Sequence, residues 1–326
     1  MIEQEPLLVT LVKLVNRIPL PPPTKRGRGR PQTYPDRLFL QALVIMIVRH
    51  LHTPYELLSV LNQPTPEMHL LRELLTINGR FPTRRTFERR LQAIPHSLPA
   101  QIGCLGRALV EMIQPWASCG RAAAIDSTVL RARGGVWHKK DREAGVVPHT
   151  SIDTEAHWTK SGWHGWVYGW KLHLITTVAA VWIPLAAELT AANMADNEQA
   201  LTLVGELPGE VRYLLGDQHY TDQALRSRCA EQDCMVVTTR RGAYPHTDDG
   251  VDVRRVFHEL RSRAIENLNE QFKGIFDGHG QVPTKGLVNT QRWALGAVFV
   301  YQLTLWYRHE HGLDLRVGLK PFLKAA

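Results

Sequence analysis

Three acidic residues lie on separate elements of the predicted fold, and one of them stands inside a stretch that would otherwise exclude a charge. Asp126 lies in the middle of the apolar stretch 122–130, which predicts a short buried strand. Asp217 directly follows a second such stretch, 211–216, and Glu266 lies on a late amphipathic helix. Burying an unpaired carboxylate costs on the order of several kcal/mol. A single Asp of this kind commonly caps a turn, but three acids on separate, converging elements predict a divalent-metal site.

The chemistry that such a site supports is phosphodiester hydrolysis and strand transfer. Both reactions need an activated attacking oxygen and a stabilised leaving oxygen in line at a backbone phosphate, and two Mg²⁺ ions about 3.5–4 Å apart do both. Mg²⁺ binds hard oxygen ligands and keeps several waters, so a few carboxylates suffice. We expect Asp126 to bridge the ions, Asp217 to bind one and Glu266 the other, with Mn²⁺ able to substitute.

The elements that must position these acids follow the order β-β-β-α-β-α-β, then a loop over 240–253 and a helix over 256–276. This is the order of the ribonuclease H-like fold, an α/β architecture with a mixed five-stranded sheet flanked by helices. Strands one and four are neighbours in that fold, so Asp126 and Asp217 are expected to face each other. On an ideal helix, Glu266 and Glu270 both point to the polar side, so periodicity alone does not separate them.

Positive charge is concentrated in the first third of the chain. The net charge is +8, and residues 1–115 hold 15 Lys and Arg against 8 acidic residues. This asymmetry predicts an all-α, basic DNA-binding domain over 1–115, before a nearly neutral catalytic domain over 116–326.

Two segments of this N-terminal third are candidates for DNA contact. The segment 26–31 has the form of an AT-hook, in which Arg28 and Arg30 enter a narrow minor groove; a solvated basic linker is an equal alternative. The segment 81–91 resembles the second half of a helix-turn-helix, with Thr83 as its N-cap. Its candidate DNA-binding residues are Arg84, Arg85, Arg89 and Arg90.

The remaining composition favours a cytoplasmic protein without membrane contact. The four cysteines form no C-x-x-C pair, the N-terminus lacks a signal-peptide pattern, and the apolar stretches 38–48 and 293–307 are too short to span a bilayer. An insert over 131–165 is rich in Trp and His. Its aromatic residues could stack on unpaired bases, but we favour a role in covering the sheet edge.

Four motifs together resemble bacterial insertion-sequence transposases with a DDE domain. Ala124-Ile-Asp-Ser-Thr128 and Leu214-Leu-Gly-Asp-Gln-His-Tyr-Thr-Asp222 are similar to the first-acid and second-acid motifs. The stretch 189–196 resembles the segment before the family's first sheet-covering helix, and 263–273 resembles its third-acid helix, in which Lys273 follows Glu266 by seven residues.

The resemblance implies a function, partners and further site residues. It implies that one site frees the 3′-OH of an element end and joins it to target DNA, with double-stranded terminal repeats bound and a homodimer in the DNA complex. It favours Glu266 over Glu270 as the third acid and adds Arg263 and Lys273 as DNA contacts. Many members carry Tyr seven and Arg four residues before the Glu, where this chain has Glu259 and Ser262, so the subgroup stays open.

Two other functions are weighed against an active transposase. A ribonuclease H-like nuclease or resolvase would keep the three acids without needing an end-recognition domain, and the basic N-terminal third argues against it. A transposase-derived DNA-binding regulator that is no longer catalytic should have lost an acid, whereas this chain retains all three and Lys273.

Overall fold

The computed structural model describes residues 5–21, 33–116, 121–162, 165–238 and 253–324. The AT-hook-like segment 26–31, with Arg28 and Arg30, lies outside the described residues, as does most of the expected loop 240–253.

In the described part of the chain six α-helices precede the sheet, and threonine residues cap several of them. Thr53, Thr65 and Thr83 each accept a hydrogen bond from the backbone N–H three residues on, which satisfies a donor that the first helical turn leaves unpaired. The predicted Thr83 cap is therefore confirmed. The helices are α1 (Leu7–Leu14), α2 (Asp36–Val48), α3 (Pro54–Leu61), α4 (Pro66–Leu74), α5 (Arg84–Ala93) and α6 (Leu98–Ile113).

A mixed sheet with flanking helices follows, as the sequence predicts. Its strands are β1 (Ala122–Arg131), β2 (His157–Ser161), β3 (Gly165–Thr177), β4 (Pro184–Ala191), β5 (Tyr213–Gly216) and β6 (Met235–Thr238). Helices α7 (Lys139–Glu143), α8 (Asp196–Val204) and α9 (Gln223–Ala230) lie between them in the chain.

The pairing of the strands places β1 at the centre of the sheet. The order is β2-β3-β1-β5-β6, and β4 pairs with β3 outside that path. β1 is antiparallel to β3 and parallel to β5. Because β1 and β5 are the first and fourth of the predicted strands, the prediction that these two are neighbours is confirmed. The described residues contain six strands instead of the predicted five because the insert contributes β2, which pairs with the start of β3.

The helix predicted over 256–276 is interrupted. It consists of α10 (Val253–Arg261), a π-helical turn (Ser262–Glu266) and α11 (Asn267–Ile275). A π turn closes its hydrogen bonds over one more residue than an α turn, so an ideal helical wheel does not hold across it. Leu268, Phe272 and Ile275 are nevertheless buried, as expected for the packed side.

The long helix α12 (Leu287–Glu310) joins the N-terminal helices to the sheet, and a short helix α13 (Lys320–Lys324) follows. α12 packs against α2, α6 and β4 in one hydrophobic core. The buried Gln302 within it donates to the carbonyl oxygens of Ile102 and Pro184, each at 2.8 Å, and so links α6 to β4. No helix among the described residues is long and apolar enough to cross a membrane. The boundary at 115/116 stays a prediction.

Candidate active site

The register between β1 and β5 brings the first two predicted acids together. Ala124 pairs with Leu215 where β1 and β5 run parallel. Asp126 lies two residues after Ala124, and Asp217 lies two residues after Leu215. Asp126 Oδ1 accepts from the N–H of Ser127 at 2.8 Å, and Asp217 Oδ1 accepts from the N–H of His219 at 2.8 Å. The backbone therefore fixes one oxygen of each carboxylate and leaves the other available.

A glycine and a tyrosine shape the turn that carries Asp217. A Cβ on Gly216 would lie 2.8 Å from Cβ of Tyr220, closer than real Cβ contacts, so only glycine lets the tyrosine pack here. Tyr220 is buried, and its hydroxyl has no hydrogen-bond partner in the described part of the chain. Burial raises the pKa of Tyr220 well above its usual value, and the charges of Asp126, Asp196 and Asp217 add to the effect.

Arg261 connects the first acid to the third. Its Nη1 donates to Asp126 Oδ2 at 3.1 Å, and its Nη2 lies 3.5 Å from Glu266 Oε1. The Arg261 side chain is only 7% exposed, whereas that of Glu266 is 58% exposed. The π turn explains the contact, because Arg261 precedes Glu266 by five residues, the spacing of a π-helical hydrogen bond.

The environment of Asp126 makes its charged form unfavourable. The pKa of Asp126 is raised from 3.8 to about 6; burial is the largest cause, and the charge of Asp217 acts in the same direction. Arg261 and the Ser127 N–H act in the opposite direction, because both stabilise the carboxylate. Positive charge is therefore required here, and in this conformation Arg261 supplies it.

The structure separates the two candidates for the third acid. Glu266 contacts the arginine that also binds Asp126. Glu270 instead lies 3.7 Å from Lys273, an ion pair on the same helix. Glu266 is therefore linked to the carboxylate pair, and Glu270 is one turn removed from it.

The donor chemistry of the three carboxylates fits a hard divalent cation. Asp126 and Asp217 lie side by side, and a guanidinium already occupies the space between Asp126 and Glu266. Among the residues with described positions, no three His, Cys, Asp or Glu side chains are close enough to hold a metal ion.

The predicted DNA-binding residues fall into two groups. Arg84 forms an ion pair with Glu88 at 2.7 Å, while Arg85 and Arg89 are exposed on the same helix. Arg90 packs over the Phe39 ring, with its guanidinium bound to Asp36, so its side chain is built into the helical core. In the second group, Arg263 is exposed at the π turn and Lys273 is paired with Glu270.

Sequence reasoning missed Arg261 and Tyr220 as members of the site. Arg261 lies one residue before the position, four residues ahead of Glu266, at which many family members carry arginine. On an ideal α-helix, however, the Arg261 side chain points away from Glu266. Tyr220 stood inside the second-acid motif without a role. Of the tryptophans of the insert, Trp158 on the edge strand β2 packs on Tyr168 and donates to the carbonyl oxygen of Trp137, as an edge-covering role predicts, whereas Trp163 lies outside the described residues.

Comparison with known proteins adds a family match. Residues 117–278 match the family model described as a transposase DDE domain, which covers about half of the chain and contains Asp126, Asp217 and Glu266. No curated protein matches the chain in sequence.

Two solved assemblies are remotely similar in structure. The piggyBac transposase synaptic complex with hairpin DNA gives a TM-score of 0.44 at 10% identity, covering 99% of this chain and 79% of that chain. The Mos1 mariner paired-end complex with Mn gives a TM-score of 0.21 at 15% identity, covering 89% and 82% of the two chains. Both TM-scores are low.

Proposed function

We propose that Asp126, Asp217 and Glu266 are the catalytic carboxylates of this protein. The premise is that the chain contains a transposase DDE domain over residues 117–278 and is a DNA transposase. The observation that carries this proposal is the contact of one buried guanidinium, that of Arg261, with Asp126 and Glu266. The register of β1 and β5 supports Asp217 as the third member, because it sets Asp217 beside Asp126.

The three carboxylates would hold two Mg²⁺ ions, or Mn²⁺ in their place. When bound, the ions supply an activated attacking oxygen and charge stabilisation at the leaving oxygen. Asp126 and Asp217 are suited to this because the backbone fixes one oxygen of each.

Arg261 is a positioning residue in this proposal. It holds the Asp126 and Glu266 side chains toward each other and offsets their charge when no ion is bound. A divalent ion performs the same electrostatic task, so the ion and Arg261 compete for the same carboxylate oxygens. The exposed Arg263 next to this site is positioned to contact a DNA phosphate.

The basic N-terminal helices recognise the DNA in this proposal. Arg85 and Arg89 are exposed on α5 and are available to a duplex, whereas Arg90 supports α5 from inside. The ligands are the terminal repeats of a bacterial insertion sequence and the target DNA, bound by a homodimer in the cytoplasm.

The experiment that tests the proposal compares matched glutamate variants. Full-length wild type, Glu266→Gln and Glu270→Gln are incubated with Mg²⁺ and a duplex containing the DNA that flanks the gene at its native locus. Glu266→Gln should lose cleavage and strand transfer while binding the duplex normally, because only Glu266 is linked to Asp126. Glu270→Gln should keep most of its activity, because a surface ion pair contributes less than ~1 kcal/mol.

Asp126→Asn serves as the control for the whole site. If it still cleaved DNA, the carboxylates proposed here would not be catalytic. If instead Glu270→Gln were inactive and Glu266→Gln active, the third acid would lie one helical turn further along.

A further inference from the structure

A cavity of about 290 Å³ lies between the N-terminal helices and the segment that leads into α12. Its wall includes His52 before α3, Glu88 on α5, Arg133 just after β1, and Lys285 and Arg292 around the start of α12. At ~30 Å³ per water molecule, the cavity holds about ten waters. It is therefore large enough for a phosphate group with part of its sugar neighbours.

The three cations of this cavity are hydrogen-bonded to carbonyl oxygens, and none of them pairs with a carboxylate of the described residues. Arg133 donates to the Pro283 oxygen at 2.7 Å and Arg292 to the His52 oxygen at 3.0 Å, while Lys285 donates to the Thr150 oxygen. A carbonyl oxygen fixes the direction of a cation but leaves its charge uncompensated. Arg292 is only 6% exposed, so its charge is held where water screens it poorly.

The acidic residues around the cavity are engaged elsewhere. Glu88 is the carboxylate in the wall, and it forms an ion pair with Arg84 at 2.7 Å. Asp153 and Glu155 accept from the backbone N–H groups of Gly286 and Leu287, where they stabilise the start of α12.

The histidine in the wall adds no positive charge at neutral pH. The pKa of His52 is lowered, mainly by burial; the charge of Glu56 raises it, and the smaller effects of His50, Arg133 and Arg292 lower it. His52 is therefore neutral at pH 7, and the wall carries three positive charges and one negative charge.

We propose that this cavity binds a phosphate of the DNA backbone, with Arg133 and Lys285 as its exposed contacts and Arg292 as its buried base. The proposal rests on the function proposed above and adds a second anchoring point to it. Arg133 and Lys285 are exposed and can reach a ligand, whereas Arg292 holds His52 and the edge of α3 in place. A phosphate accepts several charge-assisted hydrogen bonds at once, which the three cations can donate together.

The position of the cavity relative to Asp126 predicts which phosphate it binds. Arg133 lies seven residues after Asp126 and two residues beyond the end of β1, so at ~3.3 Å per residue their Cα atoms are separated by at most roughly 23 Å. Phosphates of one strand of a duplex follow each other at ~3.4 Å along the axis. A strand with its reacting phosphate at Asp126 would therefore present to this cavity a phosphate within about seven nucleotides of the reacting one.

The first experiment measures binding of the full chain to the flanking-DNA duplex over a range of salt concentrations. The variant is Arg133→Gln with Lys285→Gln, and the matched control is Lys13→Gln with Arg17→Gln, which removes the same two charges from ion pairs of α1 and the residues after it. The slope of log K against log salt should be less steep by about 1 in the cavity variant if both cations hold one phosphate, and by about 2 if they hold adjacent ones. The slope of the control variant should be no less steep than that of the wild type.

The second experiment substitutes single phosphates of the duplex by neutral methylphosphonates, scanned outward from the cleaved position. One substitution within about seven nucleotides of that position should weaken wild-type binding and have no additional effect on the cavity variant. Melting temperatures of both double variants show that they fold.

The outcomes separate this site from the proposed function. If wild type binds and cleaves the duplex but the cavity variant keeps the wild-type slope and the wild-type methylphosphonate profile, the phosphate site is wrong and the transposase site stands. If wild type cleaves no DNA under any condition, the catalytic proposal fails first. A slope change equal to that of the Lys13/Arg17 control would indicate loss of net charge alone and would also overturn the site.

Discussion

The substitution Asp126→Asn should stabilise the metal-free protein while it abolishes DNA cleavage. The pKa of Asp126 is raised from 3.8 to about 6, mainly by burial and further by Asp217. At 1.36 kcal/mol per pKa unit, ionising Asp126 in the folded state costs about 3 kcal/mol of stability at pH 7. The side chain is 23% exposed, so solvent screening makes this value an upper limit.

The direction of the pH dependence follows from the sign of the shift. A raised folded-state pKa means that the folded protein binds this proton more tightly than the unfolded chain does. The stabilising contribution of the proton is complete below the unfolded value of 3.8 and is lost as the pH rises through about 6. The asparagine variant has no such proton, yet its amide oxygen can still accept from Arg261.

Chemical denaturation of both proteins without divalent ions, from about pH 4 to pH 7.5, measures this effect. The variant should gain stability relative to wild type as the pH rises, by up to about 3 kcal/mol, and the gain should be nearly complete by about pH 7. Added Mg²⁺ or Mn²⁺ should raise the melting temperature of wild type by mass action and leave the variant nearly unchanged. A stability difference that does not vary with pH would refute the desolvated carboxylate described here.

Two other substitutions probe the supports of the site. Arg261→Met removes the cation between Asp126 and Glu266. It should lower the free energy of unfolding by roughly 3 kcal/mol at neutral pH but by less near pH 5, where Asp126 is protonated. Chemical denaturation at the two pH values checks this, and an equal loss at both would indicate lost packing alone. Gly216→Ala places a Cβ 2.8 Å from Tyr220 and should cost about 1–3 kcal/mol, whereas the same change at Gly209, which has no neighbour within 4 Å, should have little effect on thermal unfolding.

The sequence alone was sufficient for five of the six described strands and for their order along the chain. Apolar and β-branched stretches defined β1, β3, β4 and β5 because a strand buried on both faces tolerates few polar residues. The same property made Asp126 conspicuous, since one carboxylate in such a stretch demands a compensating charge. Local composition also identified Thr83 as a helix cap, because capping depends on residues three apart.

Three features depended on the tertiary structure. The first is that part of the insert, His157–Ser161, forms the strand β2 by pairing with β3. This segment has little hydrophobic periodicity of its own, so its strand structure depends on its pairing with β3. The cavity at Arg133, Lys285 and Arg292 combines cations that are up to 159 positions apart in the chain, and their proximity follows from the packing of α12.

The π turn shows most clearly which features the sequence determined and which depended on the tertiary structure. The sequence determined that an amphipathic helix carries Glu266, because the 3.6-residue period of its apolar side chains is a local property. It did not reveal that the turn Ser262–Glu266 is π-helical. Arg261 reaches both Asp126 on β1 and Glu266, and a buried arginine and a desolvated carboxylate stabilise each other only when the fold brings them together.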